Sequence, residues 1–407
     1  MFGLSRFELK IALLVLGIQF VTIVDFMMIM PLGPDFAREL GLRLDALGLI
    51  TAAYVFSAAT VSFISARYMD VLPRKRALAG CLLGLLCIAI ITPSLGETYG
   101  LSGLLIGRAL AGVFGGPATG LAMTILTDAI APEKRGRAVG LAGAAFSIAA
   151  IAGVPLGLEL ARIGGWQLPF YSVSVASGLA MIATLLFIPN HLQTRRTSRW
   201  QGTWTFLARK KTAVAYLIVG ITPMASFLFI PNMFTYFQMN LGYPRELIGL
   251  LYAIGGTCTL MSMQIAGWNA DRFGIARASL VVSLGSVAAA VVLFGFDPLL
   301  APLMVLFPIM MVFNSSRSVV AHTGSSLVPA PEERGAHMAF QVTVRHLGTG
   351  IGAVLGAWIL STGPTGALEH VEWLLAAYIV IVAIQPLIMW WLERAIKSES
   401  LAPTGVA

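Results

Sequence analysis

The chain has 407 residues, of which 57% are hydrophobic and only 11% charged, and its formal net charge is +8. Soluble domains carry close to a quarter charged residues, so this composition excludes a water-solvated globule and makes lipid the solvent for most of the chain. A bilayer core about 30 Å thick is crossed by about 20 residues of helix, and apolar runs of that length are the units to read.

Twelve such runs occur, at 10–32, 47–69, 77–95, 101–128, 138–163, 168–188, 213–237, 246–269, 278–296, 299–328, 338–361 and 371–392. They predict an all-α membrane protein of twelve transmembrane helices. The first run is too long for the h-region of a cleavable signal peptide. MFGLSRFELK ahead of it reads as a short basic cytoplasmic tail. Within the first run stands Asp25, a carboxylate at bilayer depth, which is costly unless it faces a cavity and has a partner. Between runs two and three lies ARYMDVLPRKR, with Asp70, Arg74 and Lys75. Run four carries Arg108 in RALAGVFGG, and run five carries Gly153, Pro155 and Gly157 in GVPLG, with Glu159 near its outer end. Small residues four apart let helix backbones approach closely, and Pro155 can kink its helix.

The stretch from Pro189 to Thr212 is the longest basic connection and divides the runs into two sets of six. The expected domains are a first bundle at 1–188, a cytoplasmic linker at 189–212, a second bundle at 213–392 and a tail at 393–407. Run seven offers Phe229, Asn232 and Tyr236, apolar and hydrogen-bonding groups suited to a small-molecule pocket. After run eight, GWNADRFGIAR supplies Asp271 and Arg272. Run ten holds Asn314 and Arg317 within MMVFNSSRSVVAHT, and a guanidinium fork there fits a carboxylate or phosphate. Run eleven holds Gly352 and Gly356, placed like Gly153 and Gly157. Arg345 and His346 read as solvated or interfacial, and His322 and His337 as loop and helix-end positions.

Two loops repeat. Asp70 and Asp271 stand 201 positions apart, and APEKRGRA at 131–138 and APEERGAH at 330–337 stand 199 apart. Duplicated six-helix halves place a binding site between them near the midplane. Lys and Arg concentrate on the terminal side, at Arg74, Lys75, Arg76, Lys134, Arg135, Arg137, Arg195 to Lys211, Arg272, Arg277, Arg334, Arg394 and Lys397, which puts both termini in the cytoplasm. These charges are dispersed over short loops, so no nucleic-acid partner is expected. Cys81, Cys87 and Cys258 lie within runs and lack metal-ligand spacing. No phosphate-binding Gly-Lys loop and no HExxH motif occurs. Enzymatic activity, a metal site and a bound cofactor are therefore not expected.

With these motifs in hand, the chain resembles the major facilitator superfamily over essentially its whole length. The loop after run two is similar to that family's G-x-L-x-D-R-x-G-R-K signature at Asp70, Arg74 and Lys75, departing from it at Ala66, Tyr68, Val71 and Pro73. The second copy keeps Gly267, Asp271, Arg272 and Gly274. RALAGVFGG resembles the membrane-embedded arginine motif, and GVPLG the Gly-Pro motif of the proton antiporters. The resemblance implies two pseudo-symmetric halves, a central cavity lined by runs one, four, seven and ten, and a conformational latch at Asp70, Arg74, Lys75, Asp271 and Arg272. It also implies a monomeric drug or metabolite exporter of the inner membrane, exchanging a small amphipathic molecule for protons with the proton gradient as its energy source. Asp25, Arg108 and Glu159 are the candidate proton-coupling residues. Arg317, Asn232, Tyr236, Phe229 and Asn314 are the candidate substrate contacts. Either Arg108 or Arg317 can hold Asp25 ionised. An importer or facilitated carrier of an anionic solute on the same fold is one alternative, and a non-transporting receptor or assembly subunit is another.

Overall fold

A computed structural model describes residues 4–66, 73–131, 134–189, 209–295, 303–329, 334–364 and 366–400. Asp70, most of the 189–212 linker and residues 401–407 of the tail lie outside them.

The first helix, α1 (Arg6–Met27), starts on a capping box: the Glu8 N–H donates to Ser5 Oγ at 3.2 Å, and the Ser5 N–H donates to Glu8 Oε2 at 2.7 Å. These bonds serve orphan donors of the first turn. The helix stops at Met27, short of the end of the first apolar run, because Pro31 and Pro34 open a turn and then a separate short helix, α2 (Gly33–Leu40), ending on left-handed Gly41. The next helices are α3 (Leu47–Ala66), α4 (Arg74–Tyr99) and α5 (Leu101–Ala129). The fifth apolar run is not one helix but a sequence of α6 (Arg135–Gly143), α7 (Ala145–Ile148), a π-helical turn at Ala149–Gly153 and α8 (Val154–Gly164). Pro155 lacks the N–H that a regular helix would bond at that point, and the wide turn before it absorbs the fault. Helix α9 (Gln167–Phe187) completes the first set.

The second set comprises α10 (Lys210–Met239), α11 (Ile248–Phe273), α12 (Ile275–Phe294), α13 (Leu303–Ser326), α14 (Arg334–Ile359) and α15 (Val371–Ser400), with a two-residue hairpin, β1 (Ser361–Thr362) and β2 (Leu368–Glu369), between the last two. Eleven stretches among the described residues are long and apolar enough to cross a bilayer. Helix α14 is not one of these eleven, although its 26 residues pack lengthwise against α10 and α3. The chain is a multi-pass membrane protein.

Close backbone approach joins α14 to α10. A Cβ added at Gly348, Gly352 or Gly356 would fall inside van der Waals contact with the carbonyl oxygens of Gly220, Met224 and Leu228, one turn apart along the facing helix. Gly153 meets the Val24 side chain of α1 just as tightly, while Gly157 has more room. Only glycine permits these approaches, and in lipid they supply the van der Waals contact that holds helices together.

The two sets meet along α14 with α3 and along α11 with the π turn, where Gly256 faces Ala150 and Ile151. They are also tied at the face carrying α2 and the hairpin, called here the loop face. Asp35, 3% exposed, binds Arg38 at 2.7 Å and, across the divide, Arg245 at 2.7 Å. Thr362 donates to Asp45 Oδ1 at 3.1 Å, also across the divide, and Asn240 clamps both backbone groups of Leu368. The loop face is closed.

Two predictions follow from this packing. Gly352→Val lowers the thermal unfolding midpoint of the purified protein, at a cost of about 1–3 kcal/mol from overpacking. Gly17→Ala, at a site with no atom within 4 Å of the new Cβ, leaves the midpoint in place. Burial pushes the Asp35 carboxyl above its ordinary value of 3.8, against the opposing pull of Arg245 and Arg38 and with some help from Glu39. A proton held more tightly in the closed face than in water favours closure. That contribution is complete below the ordinary value and is lost as pH rises through the raised one. Acidifying the loop-face side should therefore shorten distances between spin labels placed across it, and Asp35→Asn should abolish the acid dependence.

Candidate functional site: a buried ion pair beneath the closed face

Helix α1 places Asp25 on its inner side, one residue before Phe26, whose ring lies 5.8 Å from that of Phe227 on α10. Asp25 is 1% exposed and Arg108, in the N-terminal third of α5, is 2% exposed. Arg108 Nη1 donates to Asp25 Oδ1 at 2.8 Å, and Nη2 donates to the Asp25 backbone carbonyl at 3.0 Å. The guanidinium also lies 4.7 Å from the centre of the Tyr54 ring on α3. Of the two candidate partners for Asp25, Arg108 is the one in contact. Asp25 Oδ2 is buried and makes no hydrogen bond. A buried carboxylate oxygen left without a donor bears its full desolvation cost.

Arg317 lies elsewhere, fully buried within the second set. Its Nε donates to Gln385 Oε1 at 2.9 Å, Nη1 donates to Asn314 Oδ1 at 3.3 Å, and the Tyr378 ring lies 5.8 Å away. Asn314 Oδ1 also accepts from Ser226 at 3.1 Å, Ser286 at 3.4 Å and Tyr378 at 3.0 Å. Arg317 and Asn314 thus form the hub of a polar network between helices. Gln385, Tyr378 and Ser286 went unmarked in the sequence because nothing in their apolar surroundings sets them apart.

Phe229, Asn232 and Tyr236 do come together, around a cavity of about 10 Å³ that Phe294 and Leu374 also line. That space suits one water, far below the several hundred Å³ of an organic ligand site. Phe229 stacks on Phe294 at 4.0 Å, and both side-chain polar atoms of Asn232 are buried without a hydrogen bond. In this conformation these residues are the interior of the second set.

Glu159 is exposed and pairs with Arg162 at 2.5 Å on its own helix, away from Asp25. The latch residues are dispersed. Arg74 is buried and ion-paired with Asp128 at the end of α5, a partner the sequence reading omitted. A cation at the start of a helix is unfavourable, and Asp128 offsets it. Lys75 is half-buried, and Asp271 and Arg272 are exposed, with Arg272 stacked over Trp268 and Phe273. His337, expected at a helix end, is fully buried and bonded to Ser325 and Gln341, while His322 lies inside α13.

Breaking a buried pair strands a charge, whereas replacing both members relieves it. Arg108→Met should cost about 3–5 kcal/mol, and the double variant Asp25→Leu with Arg108→Met should be more stable than Arg108→Met alone in thermal unfolding.

Comparison with known proteins follows the same lines. The sequence model of the Major Facilitator Superfamily matches residues 15–321 and 215–405. An uncharacterized MFS-type transporter, YwfA of Bacillus subtilis (strain 168), is 25% identical over 360 residues, covering 86% of this chain and 85% of the relative. Multidrug resistance protein 2 of the same organism is 22% identical over 406 residues, covering 96% and 97%. Among solved structures, a bacterial homolog of the human lysosomal transporter Spinster, in an inward-facing and unoccupied conformation, superposes with a TM-score of 0.75 over 99% of this chain and 100% of that one at 15% identity. The chain belongs to the Major Facilitator Superfamily, whose members are transporters and not enzymes.

Proposed function

We propose that the protein is a proton-coupled antiporter that exports a small amphipathic molecule by alternating access. In this reading twelve spans form two six-helix halves, 1–188 and 213–392, joined by the 189–212 linker and followed by the 393–407 tail. Both termini are cytoplasmic, the membrane is the inner one, and a monomer works without a cofactor. The packing of the π turn on α1 and of α14 on α10 supports the two halves, because each joins the fifth run of its set to the first. The likeness to Multidrug resistance protein 2 supports export.

The observation that carries the reading is the Asp25–Arg108 pair with its unserved Oδ2, set one residue from the Phe26–Phe227 contact. Protonation of Asp25 discharges the pair and weakens the bond that fixes α1 against α5. Helix α1 is then free to shift, and the aromatic contact beside it can part. A carrier for an anion gripped by Arg108 and Arg317 is the poorer reading, since both guanidinium groups are buried and already engaged. The receptor reading fits poorly with a family of transporters.

The test is uptake of a candidate drug or metabolite into inverted vesicles under an imposed pH gradient. Gradient-driven uptake should vanish in Asp25→Asn while gradient-independent exchange of the same solute persists. Full gradient-driven uptake in that variant would sink the proton role.

A further inference from the structure

We propose that Arg345 is an anion-binding subsite that takes the carboxylate of an amphipathic organic substrate. The proposal rests on the carrier reading and names the class of its cargo.

The direction in which Arg345 points follows from its helix. Leu347, Ile351 and Trp358 of α14 are exposed and share one face at helical spacing. Trp358 is near the loop face, where the two sets are closed, so this face meets lipid. Helices α10 and α3 flank α14 through Gly348 and Gly352 on one side and Gly350 and Ala353 on the other. Met338 and Arg345 are exposed on the remaining side, away from lipid. That side opens into the space between the two sets. Thr349, one turn nearer the loop face in the same direction, is only 6% exposed, so the space closes just above Arg345.

Other helices trace the same cleft. Along α10 the exposed residues Ala213 and Leu217 give way to half-buried Gly220 and then to the Phe227 contact with Phe26. Along α1, Leu13 is exposed, and Gly17 has no atom within 4 Å of where a Cβ would stand. At these two positions α1 is apolar, while the second-set wall carries Arg345.

Charge bookkeeping supplies the ligand's sign. Asp25, Asp128, Glu8, Glu159 and Glu393 each pair with an Arg or Lys other than Arg345. No carboxylate among the described residues pairs with Arg345. A guanidinium at this depth is costly without a counter-ion, and its fork matches a carboxylate in two parallel hydrogen bonds.

The test is calorimetric titration of the purified full chain, in a lipid-free neutral detergent, with alkyl- and arylcarboxylates and with their matched amides. The wild type should bind the best carboxylate at least about tenfold more tightly than its amide, as expected for a charge-assisted bond. Arg345→Gln should erase the preference, and Arg345→Lys should keep part of it. Equal binding of acid and amide, a preference that survives Arg345→Gln, no binding by either series, or binding of phosphatidylglycerol alone would each overturn the subsite. Should Arg345→Gln fail to fold, the wild-type ratio together with Arg345→Lys decides. The titration needs no pH gradient. Loss of antiport with the preference intact refutes coupling alone, and antiport without the preference refutes the subsite alone.

Discussion

Lipid removes the force that folds soluble proteins, because an apolar side chain gains nothing by leaving hydrocarbon for another helix. What remains is contact distance. The packing of α14 on α10 at three successive glycines, and of the π turn on α1 at Gly153, are among the places where this chain brings backbone against backbone or side chain, as are Gly112 of α5 against Tyr54 and Gly48 of α3 against Ala353. Val24, which Gly153 touches, precedes Asp25, so the setting of the ion pair depends on a missing methyl group on another helix. The pair and the packing are one construction.

Much of this was legible in the sequence because lipid imposes a length on apolar runs and a sign on the loops between them. Eleven of the runs return among the described residues as stretches long and apolar enough to span, the fifth broken at a π turn that only the bonding pattern near Pro155 discloses. The glycine pair at Gly352 and Gly356 was legible as spacing, yet Gly348, the third rung, was not, since its role depends on which helix lies opposite. Depth in the membrane can be read from sequence position. Direction cannot, unless the neighbours are known.

The charges show that limit most clearly. Asp25, Arg108, Arg317 and Arg345 all read as charges inside predicted spans, and each has a different setting. Asp25 and Arg108 satisfy one another, Arg317 is enclosed by neutral hydrogen-bonding groups, and Arg345 meets open space. Phe229, Asn232 and Tyr236 share one face of α10, as their spacing suggests, but that face turns toward Phe294 and not toward the cleft. A helical wheel orders residues around an axis without saying where the axis stands.

The Asn314 hub has a further consequence. A carbonyl oxygen has two lone pairs, and here Ser226, Ser286, Tyr378 and Arg317 all lie within reach of one oxygen, while Ser286 and Tyr378 also share a proton with each other, so the four cannot all donate to it at once. The oxygen is never left bare, but a donor carried away from it would be a polar group left unpaired in hydrocarbon. The hub therefore ties α10, α12 and α15 to α13 by the cost of removing any one of them, and a single side-chain oxygen fixes four helices.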